Sequence, residues 1–354
     1  MHFPRYARLI IQLAAGVTAF ALFWLVIRAN INKVGNLVGS VNPLILVLVL
    51  LFDVLNIIFY GTAWYFLVHT LHPKVRLAKC VQGVMISIFG DILVPTASVT
   101  GEALRVTFAN REFGLPYPEG IATILVHRVL NGLASGTILA IGAAVLVLGG
   151  DLSPRLRLYI LVLLILVMIP SLLGITMLFR PGIGSRLVLR LIGGFANRPL
   201  TAGFVHRITG GVLGFETSMK LIRARGRNIL FSFLFLGFQW FFQVLIPYSF
   251  LIAISSTLQQ PTNYWTFFWL ISVAFPIFGL VNLIPIGIPG MVGILDSAMA
   301  GTFILLGITP EVAIATTLLT RIVLVVFELS VCGAVVGLSG YQSLVKTRRT
   351  VSHA

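Results

Sequence analysis

Two unbroken apolar runs, LILVLVLLF at 44–52 and LYILVLLILVMI at 158–169, constrain this chain more than any other feature. Strands of a membrane barrel alternate apolar with polar residues, so runs that are apolar on every side exclude that architecture. In lipid the backbone must satisfy its own hydrogen bonds, and the helix is what remains. Stretches of about the 20 residues that cross a bilayer recur along the 354 residues, and mean hydropathy is +1.03. The fold class is an all-α polytopic membrane protein. Helices are predicted at 7–27, 43–70, 119–149, 157–179, 228–256 and 310–338. The first follows Arg5 and Arg8, and its apolar core over 9–27 is too long for a cleaved signal peptide. It reads as a retained helix starting in the cytoplasm.

Two further segments are of a different kind. An apolar run over 80–112 is broken by Pro95 and the small polar sequence ending at Gly101; another over 264–306 is broken by PIGIPG, with Pro285, Pro289 and Gly290, and by Gly293. Such a break frees backbone groups that lipid cannot satisfy, so it belongs against protein or a water-filled cavity. Each segment reads as a hairpin broken near its tip. After the first comes GLPYPEGIATILVHR (114–128), and after the second GITPEVAIATTLLTR (307–321). The shared Pro-Glu, Ile-Ala-Thr and terminal Arg point to an internal duplication, a common construction in transporters. The organisation is then a first helix and loop (1–42), repeat A (43–150), a joining helix (151–180), a cytoplasmic segment (181–227), repeat B (228–340) and a tail (341–354).

The charge distribution orients the chain. Nine of the 25 Lys and Arg lie between Arg180 and Arg227, and His72, Lys74, Arg76, Lys79, Lys346, Arg348 and Arg349 mark other basic loops. Basic loops stay inside, which places both termini in the cytoplasm and makes the two halves inverted repeats. Arg155 and Arg157 fall outside in this scheme and resist it. The Arg180–Arg227 segment mixes apolar residues with arginines, as a helix lying on an anionic lipid surface does. Nucleic acid is excluded as a partner because no stacking aromatic cluster accompanies the arginines. Cys80 and Cys332 stand apart, so neither a disulfide framework nor a metal site is indicated, and no cofactor motif is present.

Ionisable residues at membrane depth are costly and normally face a cavity or a partner. Here they are Asp53, Asp91, Glu102, Arg105, Arg128, Asp296, Arg321 and Glu328, six of them in or just after the hairpins. Arg128 and Arg321 occupy equivalent repeat positions near the midplane. Their forked donors suit a phosphate, or equally an acid of the opposite hairpin. Asp296 is the repeat counterpart of Glu102, and pairing of Glu102 or Asp296 with Arg128 or Arg321 is expected. Glu102 and Arg105, three residues apart, share a helix face. For Arg105, substrate contact and a capping role stay open alike. Asp91 is a cavity candidate; Asp53 beside Asn56 reads either as cavity lining or as polar packing. His127 reads as packing rather than as a proton relay, and Glu328 as a structural partner of Arg321. Trp64, Trp240, Trp265 and Trp269 read as interface anchors.

At these residues the sequence resembles the transmembrane region of the lysylphosphatidylglycerol synthetase family, which is described as flippase-like. The resemblance is carried by Pro95, Gly101, Glu102, Arg105, Arg128, Pro285, Pro289, Gly290, Gly293, Asp296 and Arg321. The chain departs from the pattern at Thr100 and Met291, which replace glycines, at Asp296 in place of Glu, and at His127 in place of an acid. The resemblance implies translocation of a phospholipid or of a lipid-linked polyprenyl phosphate or glycolipid across the cytoplasmic membrane, without the family's synthetase chemistry. Two alternatives are a membrane-embedded lipid-modifying enzyme and a non-transporting subunit that recruits a lipid synthase or glycosyltransferase. The residues leave the oligomeric state open.

Overall fold

The computed structural model describes residues 31–94, 98–149, 154–180, 202–257, 264–281 and 291–338, with Gly182, Arg186 and Arg190. The expected first helix and the break residues Pro95, Pro285, Pro289 and Gly290 lie outside them. The described elements are α1 (Ile31–Gly39), α2 (Pro43–Leu71), α3 (Leu77–Leu93), α4 (Val99–Phe113), α5 (Tyr117–Leu148), α6 (Pro154–Phe179), α7 (Ala202–Ala224), α8 (Gly226–Thr257), α9 (Tyr264–Val281), α10 (Ile294–Leu305) and α11 (Pro310–Arg321). α11 runs on through a π-helical turn, Ile322–Phe327, and then as helix to 338. No strand occurs among the described residues. Five helices there are long and apolar enough to cross a membrane: α2, α5, α6, α8 and the 310–338 helix. These are the spans that the apolar runs predict. Exposed Leu44, Val47, Leu51, Leu158, Leu161 and Leu173 give the outer surfaces of α2 and α6 a lipid-compatible face.

Local chemistry sets the ends. Asn42 caps α2, its side chain accepting from the Leu44 N–H at 2.9 Å, and Pro43 supplies a first turn with no donor to lose. α4 stops at Gly114, whose φ of 68° turns its N–H back onto the last carbonyls.

The central contact is α2 against α8. Phe52 meets Phe242, Phe59 stacks with Phe235 and Phe242, and Phe66 meets Phe231 and Phe235. Positions rising along one helix pair with positions falling along the other, so the two run antiparallel. At their shared end Asn228 Nδ2 donates to Thr70 Oγ1 at 2.8 Å. Such aromatic pairs add about 0.5–1.5 kcal/mol each beyond their burial.

Each half has the same succession: a long helix (α2 or α8), two shorter helices (α3–α4 or α9–α10), and another long helix (α5 or α11). In the first hairpin Lys79, near the start of α3, pairs with Glu112 at the end of α4 at 2.9 Å, so both feet share the face that carries His72, Lys74 and Arg76. In the second, the start of α9 lies beside the C-terminal part of α5, where Gly142 faces the Trp269 carbonyl and Ser272. The start of α11 is tied to α1 by Lys33 and Glu311 at 3.3 Å. The hairpins therefore open from opposite faces of the bundle. α7 lies on α5, burying Met219 and Ile222 and leaving Leu213, Leu221 and Lys220 exposed.

Trp64 and Trp240 depart from the anchor expectation. They are 0% and 7% exposed, because each uses its indole N–H inside the bundle, Trp64 on Thr123 and Trp240 on Asn131. Trp265, 64% exposed at the start of α9, fits the anchor role.

Candidate functional site

Most of the membrane-depth charges converge. A cavity of about 580 Å³ lies between the hairpins and the long helices, and Asp91, Glu102, Arg105, Arg128, Arg321 and Glu328 reach its wall. Asp296 sits directly behind Arg321. The lining also includes a large apolar share, with Val129, Val167, Pro170, Phe275, Phe278 and Leu324. An amphipathic enclosure of this size suits a molecule with a charged end and an apolar body.

The hairpin tips build the charged wall. In the first, α3 and α4 cross where Gly101 has no room for a Cβ: one would collide with the Ser87 carbonyl and the Asp91 carboxyl. That contact lets Asp91 Oδ1 accept from the Gly101 N–H at 2.9 Å, capping the opening turn of α4. Ser98, just before α4, is forced to a φ of 64° and lines the cavity. Glu102 and Arg105 then stand one turn apart on the cavity side. The second tip uses the same devices more economically. Gly293, with φ 86°, opens α10, and Asp296 accepts from its N–H with Oδ2 at 2.6 Å. Met291, at φ 49°, lines the cavity as Ser98 does.

Each arginine finds an acid, and the acid is that of its own hairpin, not of the opposite one. Glu102 pairs with Arg128 Nε, and Asp296 Oδ1 accepts from Arg321 Nε at 2.7 Å. The reason is the path of the chain: the helix after each hairpin runs back past that hairpin's own tip. Partners are 26 residues apart in the first half and 25 in the second, as the numbers 102, 128, 296 and 321 give. The two pairs differ in burial. Arg321 and Asp296 side chains are 15% and 6% exposed, against 34% and 24% for Arg128 and Glu102.

Arg105 is the outlier. It is 1% exposed, its guanidinium lies 5.1 Å from the Trp64 ring centre and 5.9 Å from that of Tyr60, and its Nε and Nη1 have no hydrogen-bond partner. Two aromatic faces hold the cation in place, at about 2 kcal/mol when desolvated, without using its donors. The cap at the start of α4 is made by Asp91, through the Gly101 N–H.

The remaining expectations sort as follows. His127 is fully buried, its Nε2 3.2 Å from the Tyr60 carbonyl and its ring edge-on to Tyr60, away from the cavity wall. Asp53 is fully buried beside Asn56, whose Nδ2 lies 3.4 Å from Asp53 Oδ1. Glu328 faces Asp53 and also lies within the electrostatic reach of Arg321, with the π turn Ile322–Phe327 between Arg321 and Glu328. Sequence reasoning based on ionisable residues missed Tyr60, Asn131, Ser135, Gln239 and Gln243, all on the cavity wall. Their signal was present: uncharged polar pairs four residues apart, 131 with 135 and 239 with 243, inside otherwise apolar spans.

A family model described as the lysylphosphatidylglycerol synthase TM region matches residues 9–332. A UPF0104 membrane protein of Pyrococcus horikoshii is 21% identical over 330 residues, covering 89% of this chain and 92% of that protein. A UPF0104 membrane protein of Methanothermobacter thermautotrophicus is 22% identical over 335 residues, covering 90% of each.

Proposed function

This chain belongs to the lysylphosphatidylglycerol synthase transmembrane-region family, and from that premise we propose that it moves a phosphate-bearing lipid between leaflets, without bond chemistry. The observation that carries the reading is Arg105. A buried guanidinium with two donors left unmade costs the desolvation of each, about 1–3 kcal/mol, and a phosphate oxygen entering the cavity removes that cost. The apolar part of the lining accommodates the start of the acyl or polyprenyl chains.

Glu102 and Asp296 act as stand-ins for the phosphate. Each holds its arginine until the headgroup arrives, and exchange of acid for phosphate loosens one hairpin from the helix behind it. Because the hairpins open from opposite faces, the Arg128 pair governs access from the basic face and the Arg321 pair access from the other. In this reading the halves are inverted repeats, which the antiparallel run of α2 and α8 supports. The basic face is cytoplasmic, and α7 with its flanking arginines rests on anionic lipid, where a synthase or glycosyltransferase partner would also dock.

The test is reconstitution into vesicles containing fluorescent phosphatidylglycerol, with the outer leaflet bleached by dithionite. Wild-type protein should expose the inner pool. Arg105→Gln should slow exposure about tenfold or more, since a hydrogen bond to a charged group contributes about 1.5–3 kcal/mol and 1.4 kcal/mol is a factor of ten. An unchanged rate in a correctly folded Arg105→Gln protein overturns the site; wild-type vesicles no faster than protein-free ones overturn the function.

A further inference from the structure

Behind the arginine wall lies a second cluster that headgroup binding does not use. Asp53 of α2 is 0% exposed, and its Oδ2 receives no hydrogen bond. Facing it across the bundle, within hydrogen-bonding range, is the carboxyl of Glu328, the first residue after the π turn. Asp53 is thus matched with another acceptor where a donor is wanted. Gln239 of α8, 5% exposed, repeats the pattern. Its Nε2 donates to Asn56 Oδ1 at 2.7 Å and also to Gln243, while its own Oε1 is unpartnered. Asn56 in turn lies on Asp53 Oδ1.

We propose that Asp53 and Glu328 form a proton-binding site that shares one proton between two carboxyls and loads from the cavity through Glu328. Two facing carboxyls in a low-dielectric interior cannot both be ionised without a cation, and one proton converts the repulsion into a hydrogen bond. A metal ion fits less well: among the described residues no group of three or more His, Cys, Asp or Glu is placed to hold one. The route is visible in the lining, since Glu328, Asn56, Gln239 and Gln243 reach the cavity while Asp53 is sealed behind them. The other groups facing the pair are the Cys332 thiol, one turn beyond Glu328, and Arg321, before the π turn.

Arg321 links the site to transport, a step that rests on the lipid-translocation reading. With the proton bound, Glu328 is satisfied by Asp53 and Arg321 stays on Asp296. With the proton gone, the pair goes from a net charge of −1 to −2, which needs a cation; it then competes with Asp296 for Arg321, and the second hairpin loses its tie. The π turn, placed between the two residues, is where a change of winding shifts one against the other.

Two measurements on the full chain test the proposal separately from lipid translocation. In infrared difference spectra of the purified protein, a carboxylic-acid C=O stretch should be present at neutral pH and lost in both Glu328→Gln and Asp53→Asn. Spectra in which neither variant changes the band overturn the site, whatever the protein transports. In vesicles with fluorescent phosphatidylglycerol, a gradient of one pH unit should bias the steady-state leaflet ratio by up to about tenfold for one proton per cycle. Glu328→Gln should exchange lipid without that bias. A wild-type ratio that ignores the gradient while exchange proceeds overturns the coupling. Absence of exchange in wild type, with the infrared band intact, overturns the translocation reading and the coupling built on it, and leaves the proton site standing.

Discussion

Removing the carboxylate from the second hairpin should cost far more than removing its counterpart from the first. Asp296 makes two charge-assisted bonds at once, to the Gly293 N–H at 2.6 Å and to Arg321 at 2.7 Å, with its side chain only 6% exposed. Asp296→Asn keeps an acceptor for the cap but takes the negative charge away from Arg321. Breaking a buried pair on one side costs about 3–5 kcal/mol because the surviving charge stays desolvated. Glu102→Gln does the same to Arg128, but those side chains are 24% and 34% exposed, and water in the cavity screens the loss to about 1 kcal/mol. The assay follows from two other residues: Cys80 and Cys332 are free and buried, so a thiol-reactive fluorophore reports unfolding in detergent. Asp296→Asn should melt well below both wild type and Glu102→Gln. The double variant Asp296→Asn/Arg321→Gln should recover part of the loss, with a coupling of about 1–3 kcal/mol. Equal melting of Asp296→Asn and Glu102→Gln, or no recovery in the double variant, would refute the argument from burial.

Other consequences are local. Gly101→Ala drives a Cβ into the Ser87 carbonyl and the Asp91 carboxyl, so the first hairpin must open; thermal stability should fall by roughly 2 kcal/mol or more, with fluorescent-lipid exchange lost as well. Met291 holds a left-handed φ that costs a non-glycine residue about 1–2 kcal/mol, but its side chain is buried, and removing it costs about 2–5 kcal/mol, so Met291→Gly should melt below the wild-type temperature. Gly293→Ala, at φ 86°, should also melt lower, because it introduces that left-handed cost. Trp64→Leu removes one of the two rings holding Arg105 and the bond to Thr123; lipid exchange should slow, as in Arg105→Gln, while Trp240→Phe should affect stability more than exchange.

The residues that were legible and those that were not separate by physical cause. Helix spans were readable because the bilayer imposes length and uniform apolarity, properties of a contiguous segment that need no knowledge of neighbours. The acid–arginine pairing was readable because a duplicated pattern puts the same groups at matching places. Its sense was not: nothing in the spacing of Glu102 and Arg128 says that the following helix returns past its own hairpin. The facing of Glu328 and Asp53 was not legible, because it joins a helix near the start of the chain to the end of a π turn, Ile322–Phe327, that no local pattern announces.

The linear chain alone determined that this protein is helical, spans a membrane, contains a doubled motif and places charges where lipid makes them costly. Those conclusions depend on the solvent, which acts on every segment independently. The tertiary structure alone decided which charges are satisfied. Arg128 and Arg321 meet acids, while Arg105, lying between Tyr60 and Trp64 from another helix, keeps two donors unmatched. Asp53 meets an acid where it needs a donor, from a residue 275 positions away, as the numbers 53 and 328 give. Satisfaction of a buried polar group depends on what lies within about 3 Å, and that neighbourhood exists only after distant segments have packed.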